Sequence, residues 1–181
     1  PVVGEAPEIR NYFVAAGMNS IGILTGGGIG KLLAEWIVTG SSTYDITGMN
    51  IDRFHKYQAN SAYRADRVVE SLGRVYKCHY PSFTPLTARG AKRSPFHAVL
   101  RDEHGAYFKD VSGWESPAWY VGRKGVAEGI KPELGEMSWG RDNSFVYWKN
   151  EHETIRNDVG MIDMSFMSKF YVQGRDAGRA L

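Results

Sequence analysis

The chain has 181 residues, a formal net charge of +2, and 43% hydrophobic against 23% charged residues. That balance excludes an intrinsically disordered segment, and no apolar run of about 18 residues is present to form a membrane-spanning helix. Lys and Arg number 22 against 20 Asp and Glu, which leaves no strong field for nucleic acid or anionic lipid; Cys78, the lone cysteine, excludes an intrachain disulfide and fits a reducing compartment.

In chain order, Tyr12-Phe13-Val14-Ala15-Ala16 is a short apolar run suited to a buried strand. Gly17 to Gly28 read as a loop, after which Ile29, Leu32, Leu33, Trp36 and Ile37 recur at helical spacing until Gly40 supplies a C-terminal stop. The stretch from Ser41 to Arg93 is more polar and rich in Arg and Tyr. There Asn60 or Ser61 can cap a helix carrying Ala65, Val68, Val69 and Leu72, ended by Gly73. From Ser94 onward the pattern is α+β. Residues 95–100 suit a short helix and Ala106-Tyr107-Phe108 a strand. Asn150 with Glu153 resembles a capping box, and Met161–Met164 and Lys169–Gln173 read as strands. Asp176 precedes what looks like a capped helix, and both ends of the chain read as cut, so the sequence is expected to be an internal piece of a longer protein.

The densest signal is the glycine run from Gly17 to Lys31. A phosphate-binding P-loop fails on spacing, because Thr25 stands where its first Gly is needed and Leu32 where its hydroxyl residue is needed. The dinucleotide fingerprint G-x-G-x-x-G has no frame in the run either. What remains is bare backbone ahead of a helix, able to set N–H groups and a positive helix end against an electron-rich ligand such as a flavin edge. The alternative is close helix packing, since Gly22, Gly26 and Gly30 fall four apart.

Other candidates are weaker. Cys78-His79 lacks the further ligands of a structural metal site, so no metal is expected. His55, His97, His104 and His152 are scattered and read as surface or hydrogen-bonding groups. Asp163 is expected to bond backbone or Ser165. Arg89, Lys92 and Arg93 form the one basic cluster and read as a solvated face, too small for nucleic acid. Trp114, Trp119, Trp139 and Trp148 read as packing residues.

The run P-x-x-G-E-A-P-E from Pro1 to Glu8, the strand, and G-x-N-S-x-G-I-x-x-G-G-G-x-G through Gly30 closely resemble the end of the flavin domain in sarcosine and dimethylglycine dehydrogenases, which are glycine oxidase-like amine oxidoreductases. The resemblance implies cofactor contacts at Gly17, Asn19, Ser20, Gly22, Ile23 and Leu24. Some relatives bind the substrate carboxylate with a Lys on this loop; Leu24 holds that position here, so a carboxylate partner is expected elsewhere. Asp52-Arg53-Phe54, Tyr63 to Tyr80 and Thr87-Ala88-Arg89-Gly90 resemble the small central domain. Ser94-Pro95-Phe96-His97, Gly113-Trp114-Glu115-Ser116-Pro117 and the stretch from Glu151 to Leu181 are similar to the start of a folate-dependent aminomethyltransferase domain.

The implied organisation is mixed α+β and α/β. Residues 1–40 are the C-terminal end of an FAD domain, 41–93 a connecting central domain, and 94–181 the N-terminal part of an aminomethyltransferase-like domain. The implied activity is oxidative demethylation of an N-methyl amino acid using FAD, with the one-carbon unit passed to tetrahydrofolate, whose site lies mostly downstream. Oxygen or an electron-transfer flavoprotein would be the acceptor, and bacterial cytoplasm or mitochondrial matrix the compartment. No catalytic residue is expected within the chain, and the catalytic carboxylate of the folate domain is expected beyond Leu181 rather than at Asp163. The regulatory subunit of pyruvate dehydrogenase phosphatase shares the architecture and the A-G-M-N-S loop at Ala16 to Ser20, so a non-catalytic regulatory role stays open. A stand-alone aminomethyltransferase is disfavoured by the flavin-type opening segment.

Overall fold

The computed structural model describes residues 1–181, and the chain divides into two compact units, Pro1–Val75 and Tyr76–Leu181.

In the first unit, strands β1 (Val2–Glu5) and β2 (Phe13–Ala16) pair antiparallel, Val2 opposite Ala16 and Glu5 opposite Phe13. The connection closes on itself: the Ala6 N–H donates to the Tyr12 carbonyl at 2.8 Å, and the Asn11 N–H donates to Glu5 Oε1 at 2.7 Å. Helix α1 (Gly22–Thr39) follows and ends at Gly40, whose left-handed backbone aims its N–H at the Trp36 carbonyl. Val3 is fully buried among Ile29, Leu32 and Ile46, with Met18, Leu33, Trp36 and Met49 packed around them. Gly4 makes this possible. A Cβ there would lie 2.9 Å from the Trp36 ring and from Asn50 Oδ1, and the residue's φ of +120° suits glycine alone. Two short 3-10 turns, Ile51–Arg53 and Lys56–Ala59, lead into α2 (Ser61–Gly73). Asn60 caps α2 as the sequence predicts, its side chain accepting from the Ala62 and Tyr63 N–H groups.

Helix α1 starts seven residues before the expected Ile29, absorbing Gly22, Gly26, Gly27 and Gly28. Each glycine inside a helix costs about 1 kcal/mol relative to alanine, so local propensity opposes this segment. Burial of Ile29 and Leu32 beside Val3 overrides it.

In the second unit, α3 (His97–Asp102) precedes the hairpin β3 (Ala106–Val111) and β4 (Trp114–Tyr120). Ser112 and Gly113, with φ of +51° and +83°, make the two-residue turn whose twist matches the strands. The register runs from Val111–Trp114 to Ala106–Tyr120, with a bulge between Tyr107 and Phe108 beside Pro117. Most of β4 lies outside any strand pattern that the sequence offers, because Glu115, Ser116 and Pro117 read as breakers. The hairpin partner supplies the ladder, and the tertiary structure buries the polar pair. Helix α4 (Gly122–Ala127) and helix α5 (Phe145–Asn157) complete the packed part. Trp119 is stacked between Tyr107 and Tyr147, with centroids 5.4 and 5.2 Å away.

Three expectations are corrected in this unit. Helix α5 begins at Phe145 after Ser144, whose N–H donates to Asp142 Oδ1 at 2.9 Å. Asn150 is therefore mid-helix, and Glu153 pairs with Lys149 at 2.7 Å instead of closing a cap. The stacking of Tyr147 on Trp119 draws the preceding aromatic turn into the helix. Residues 161–164 and 169–173 form no strands, because their backbone meets no partner strand in this chain; Lys169 Nζ instead donates to the carbonyls of Met164, Ser165 and Met167. Of the tryptophans expected to pack, Trp119 is buried, whereas Trp139 is 74% exposed with its ring against Tyr80. A four-residue helix α6 (Ala177–Ala180) does follow Asp176.

Candidate functional site

Of the six residues singled out at the glycine run, Gly17, Asn19, Ser20, Ile23 and Leu24 are exposed and Gly22 is half-buried. β2 ends at Ala16, and the chain turns through Gly17 and Ser20, both in the left-handed region with φ of +67° and +64°. The Ile21 N–H donates to the Met18 carbonyl at 3.0 Å, and the helical pattern proper opens with the Thr25 N–H donating to the Ile21 carbonyl at 2.9 Å. The first-turn N–H groups of Gly22, Ile23 and Leu24 therefore precede the intrahelical ladder. No side chain caps this end, and no acidic residue sits in its first turn. The positive end of an 18-residue helix is thus presented without a counter-charge.

Around that end the surface is unusually bare. Ile23 and Leu24 are fully exposed. A Cβ built on Gly26, Gly27, Gly28 or Gly30 would meet nothing within 4 Å, so no neighbour in this chain uses the close approach that these glycines permit. A ligand with a flat apolar body and an electron-rich edge fits such a surface: backbone N–H groups face the edge, and Ile23 and Leu24 supply apolar contact.

On its other side the loop opens into a cleft of about 960 Å³, lined by Gly17 and Asn19 together with residues of the 3-10 turns and α2. Sequence reasoning missed this cleft as a unit. The available signal was Arg64 and Arg67, three apart on α2 and hence on one face of it.

The second unit holds a different site. Arg89 was expected on a solvated face, but its guanidinium forks onto both carboxylate oxygens of buried Glu115 and donates to the Phe108 carbonyl at 2.9 Å and the Pro85 carbonyl at 3.1 Å. The Gly90 N–H donates to Glu115 Oε1 at 2.6 Å. Burial alone would raise the Glu115 pKa; the bonds from Arg89 and Gly90 outweigh it and hold the carboxyl below its ordinary range. Asp163 behaves as expected, accepting from the Ser165 N–H at 2.9 Å and additionally from Ser94 Oγ at 2.6 Å. Burial opposes its ionisation, and those hydrogen bonds together prevail and lower its pKa.

Asp163 borders a cleft of about 810 Å³ whose walls include Tyr120, Tyr147, Met161 and Phe166. Glu151 lies in the same cleft and accepts the Tyr120 N–H at 2.8 Å, while burial raises its pKa. Of the histidines, His97 is buried against Phe108, with ring centroids 4.2 Å apart; its Nδ1 has no hydrogen-bond partner, and burial and then the nearby Arg93 lower its pKa. Cys78 is exposed. No helix is long and apolar enough to cross a membrane.

Comparison with known proteins places the family matches differently from the two compact units, since one match runs across the boundary at Val75 and Tyr76. Residues 39–94 match the FAD dependent oxidoreductase central domain, and residues 96–181 match the GCVT N-terminal domain. The chain is 42% identical to the 4-methylaminobutanoate oxidase (formaldehyde-forming) of Paenarthrobacter nicotinovorans over 97% of its own length and 20% of that protein. It is 32% identical to human mitochondrial sarcosine dehydrogenase, over 99% of this chain and 22% of the relative. To the mouse mitochondrial pyruvate dehydrogenase phosphatase regulatory subunit it is 31% identical, over 94% and 19%. The chain thus spans about a fifth of the length of the curated relatives it matches.

Proposed function

We propose that the chain, whose residues 39–94 match the FAD dependent oxidoreductase central domain and residues 96–181 the GCVT N-terminal domain, is part of an FAD-dependent oxidative demethylase of N-methyl amino acids such as sarcosine or dimethylglycine. In this reading residues 1–40 close a glycine oxidase-like FAD domain, 41–93 form the connecting domain and 94–181 open the folate-binding domain. The observation that carries it is the uncapped, glycine-faced start of α1, with Ile23 and Leu24 exposed beside it.

FAD, when bound, would accept a hydride equivalent from the N-methyl carbon of the substrate. This chain's part is to hold the ring edge. Gly17 and Gly22 let backbone approach it, and Asn19 and Ser20 offer side-chain hydrogen bonds. The N–H groups of Gly22, Ile23 and Leu24, with the positive helix end, favour the negative charge that arrives on reduction. The 810 Å³ cleft would hold part of tetrahydrofolate, with Tyr120 and Tyr147 against the heterocycle and Glu151 as a hydrogen-bond partner for its N–H groups. The 42% identity to a demethylating oxidase, against 31% to the phosphatase regulatory subunit, favours catalysis over the regulatory alternative.

The test is direct. Full-length protein should carry visible flavin absorbance that bleaches anaerobically with sarcosine, dimethylglycine or 4-methylaminobutanoate. Protein without flavin, co-purifying with a phosphatase, would overturn the catalytic reading.

A further inference from the structure

The loop that follows Asp163 is built around one lysine. Residues 161–173 belong to no strand, so their backbone groups need partners other than a ladder. Lys169 Nζ donates to the carbonyls of Met167 at 2.7 Å, Met164 at 2.8 Å and Ser165 at 3.2 Å. An ammonium has three N–H donors and accepts nothing, so its whole hydrogen-bonding capacity goes to this one turn. The Met164 carbonyl also accepts the Met167 N–H at 3.1 Å, which closes the turn from inside.

The other end of the loop is fixed by Asp163. Its carboxylate accepts the Ser165 N–H at 2.9 Å and Ser94 Oγ at 2.6 Å, tying the loop to the segment ahead of α3. Between the two anchors, Met164 and Phe166 join Asp163 in the wall of the 810 Å³ cleft. Lys169 is exposed and does not line that wall, so it reaches the cleft through the backbone it holds. Three carbonyls converging on one atom suit a compact ammonium, whereas a planar guanidinium with its donors in a fork does not match them. A single exposed contact of this sort would hold little. Three from one cation restrain three peptide units at once.

We propose that Lys169 is a positioning residue: its ammonium is a tethered cation that holds residues 163–167 in the shape that binds the ligand of the 810 Å³ cleft. The ligand is a tetrahydrofolate, so the proposal rests on the folate reading of that cleft. Without the ammonium, the carbonyls of Met164, Ser165 and Met167 lose their common partner, and the wall carrying Met164 and Phe166 samples other shapes. The apparent Kd then rises by the inverse of the fraction still competent. The vacated carbonyls form a recess that a free ammonium ion, with the same charge and N–H donors, can enter.

The experiment compares full-length wild type with Lys169→Ala and Lys169→Arg. Lys169 is exposed, so its truncation opens no cavity. Calorimetric titration with 5-formyltetrahydrofolate should show a Kd raised about tenfold or more in Lys169→Ala, as when about a tenth of the loops keep the binding shape. Ammonium chloride should reverse most of that rise. Tetramethylammonium chloride at equal ionic strength has no N–H to donate and should not. Lys169→Arg keeps the charge without the point geometry and should recover less than ammonium does. Exchange of the Met167 amide should quicken about tenfold in Lys169→Ala and slow again with ammonium. An unchanged Kd in Lys169→Ala, full recovery by Lys169→Arg, or equal effects of the two salts would each overturn the positioning role. Wild type that binds no 5-formyltetrahydrofolate refutes the folate reading instead. Ammonium-dependent protection of the Met167 amide in Lys169→Ala then still establishes the cation-held loop, and its absence refutes that as well.

Discussion

Two sets of glycines, one in each unit, meet opposite surroundings. In the second unit, a Cβ on Gly105 would lie 2.3 Å from Val121 Cγ2, one on Gly125 2.9 Å from Val121 Cβ, and one on Gly160 2.7 Å from Ile155 Cγ1. On α1 in the first unit, Gly26, Gly27, Gly28 and Gly30 face open space. The former let this chain pack on itself. The latter weaken their own helix for no packing return within the chain, and such a conflict between local propensity and fold marks a functional surface. The same contrast holds for polar groups. Glu115 is buried and engaged by Arg89 and Gly90, whereas no side chain caps the start of α1.

The sharpest way to break this comparison is at the ion pair. Glu115→Ala strands Arg89 among the Phe108 and Pro85 carbonyls and should destabilise the second unit by about 3 kcal/mol, read as a lower urea midpoint by tryptophan fluorescence. An unchanged midpoint would mean that the pair is a surface contact after all. Next, Gly105→Ala forces both a φ of +61° and an overlap with Val121 on a β-carbon, and should cost about 2 kcal/mol by the same measurement. Gly27→Ala should do the reverse, slowing amide exchange along α1 by the equivalent of about 1 kcal/mol. If it destabilises as Gly105→Ala does, the α1 glycines are packing residues and the contrast fails.

The smallest effect concerns His97. Its pKa is depressed by burial and by Arg93, so below the ordinary imidazole value of about 6.5 the unfolded chain binds the proton more readily than the folded one. Stability is therefore full above that pH and declines as pH falls beneath it. His97→Leu should flatten the change in urea midpoint between about pH 7.5 and pH 5.5. A wild-type midpoint that rises on acidification would contradict the burial of a neutral imidazole.

What the sequence displays depends on where the determining contact lies. Gly40, Asn60 and the Phe13–Ala16 strand are legible because their signals are local: a left-handed stop, a side-chain cap and an apolar run, although that strand is half-buried at Phe13 and Val14 and exposed at Ala15 and Ala16, not buried as the run suggests. The true start of α1 is hidden because Ile29 and Leu32 hold a glycine-rich helix from a distance, through Val3. Arg89 reads as a surface cation because its partner is 26 residues away, across a hairpin whose second strand contains a proline. The loop residues Gly17 to Leu24 are visible as a motif, while the cleft beside them is assembled from β1, two 3-10 turns and one face of α2. No single stretch of sequence displays it.

Ile23 tests most directly whether the uncapped start of α1 contacts a flavin. Its side chain is fully exposed, so Ile23→Asp removes no packing from this chain. Full-length wild type should carry near-stoichiometric flavin and Ile23→Asp should lose most of it, with circular dichroism unchanged. Full retention of flavin with an unaltered visible spectrum in the variant would contradict it.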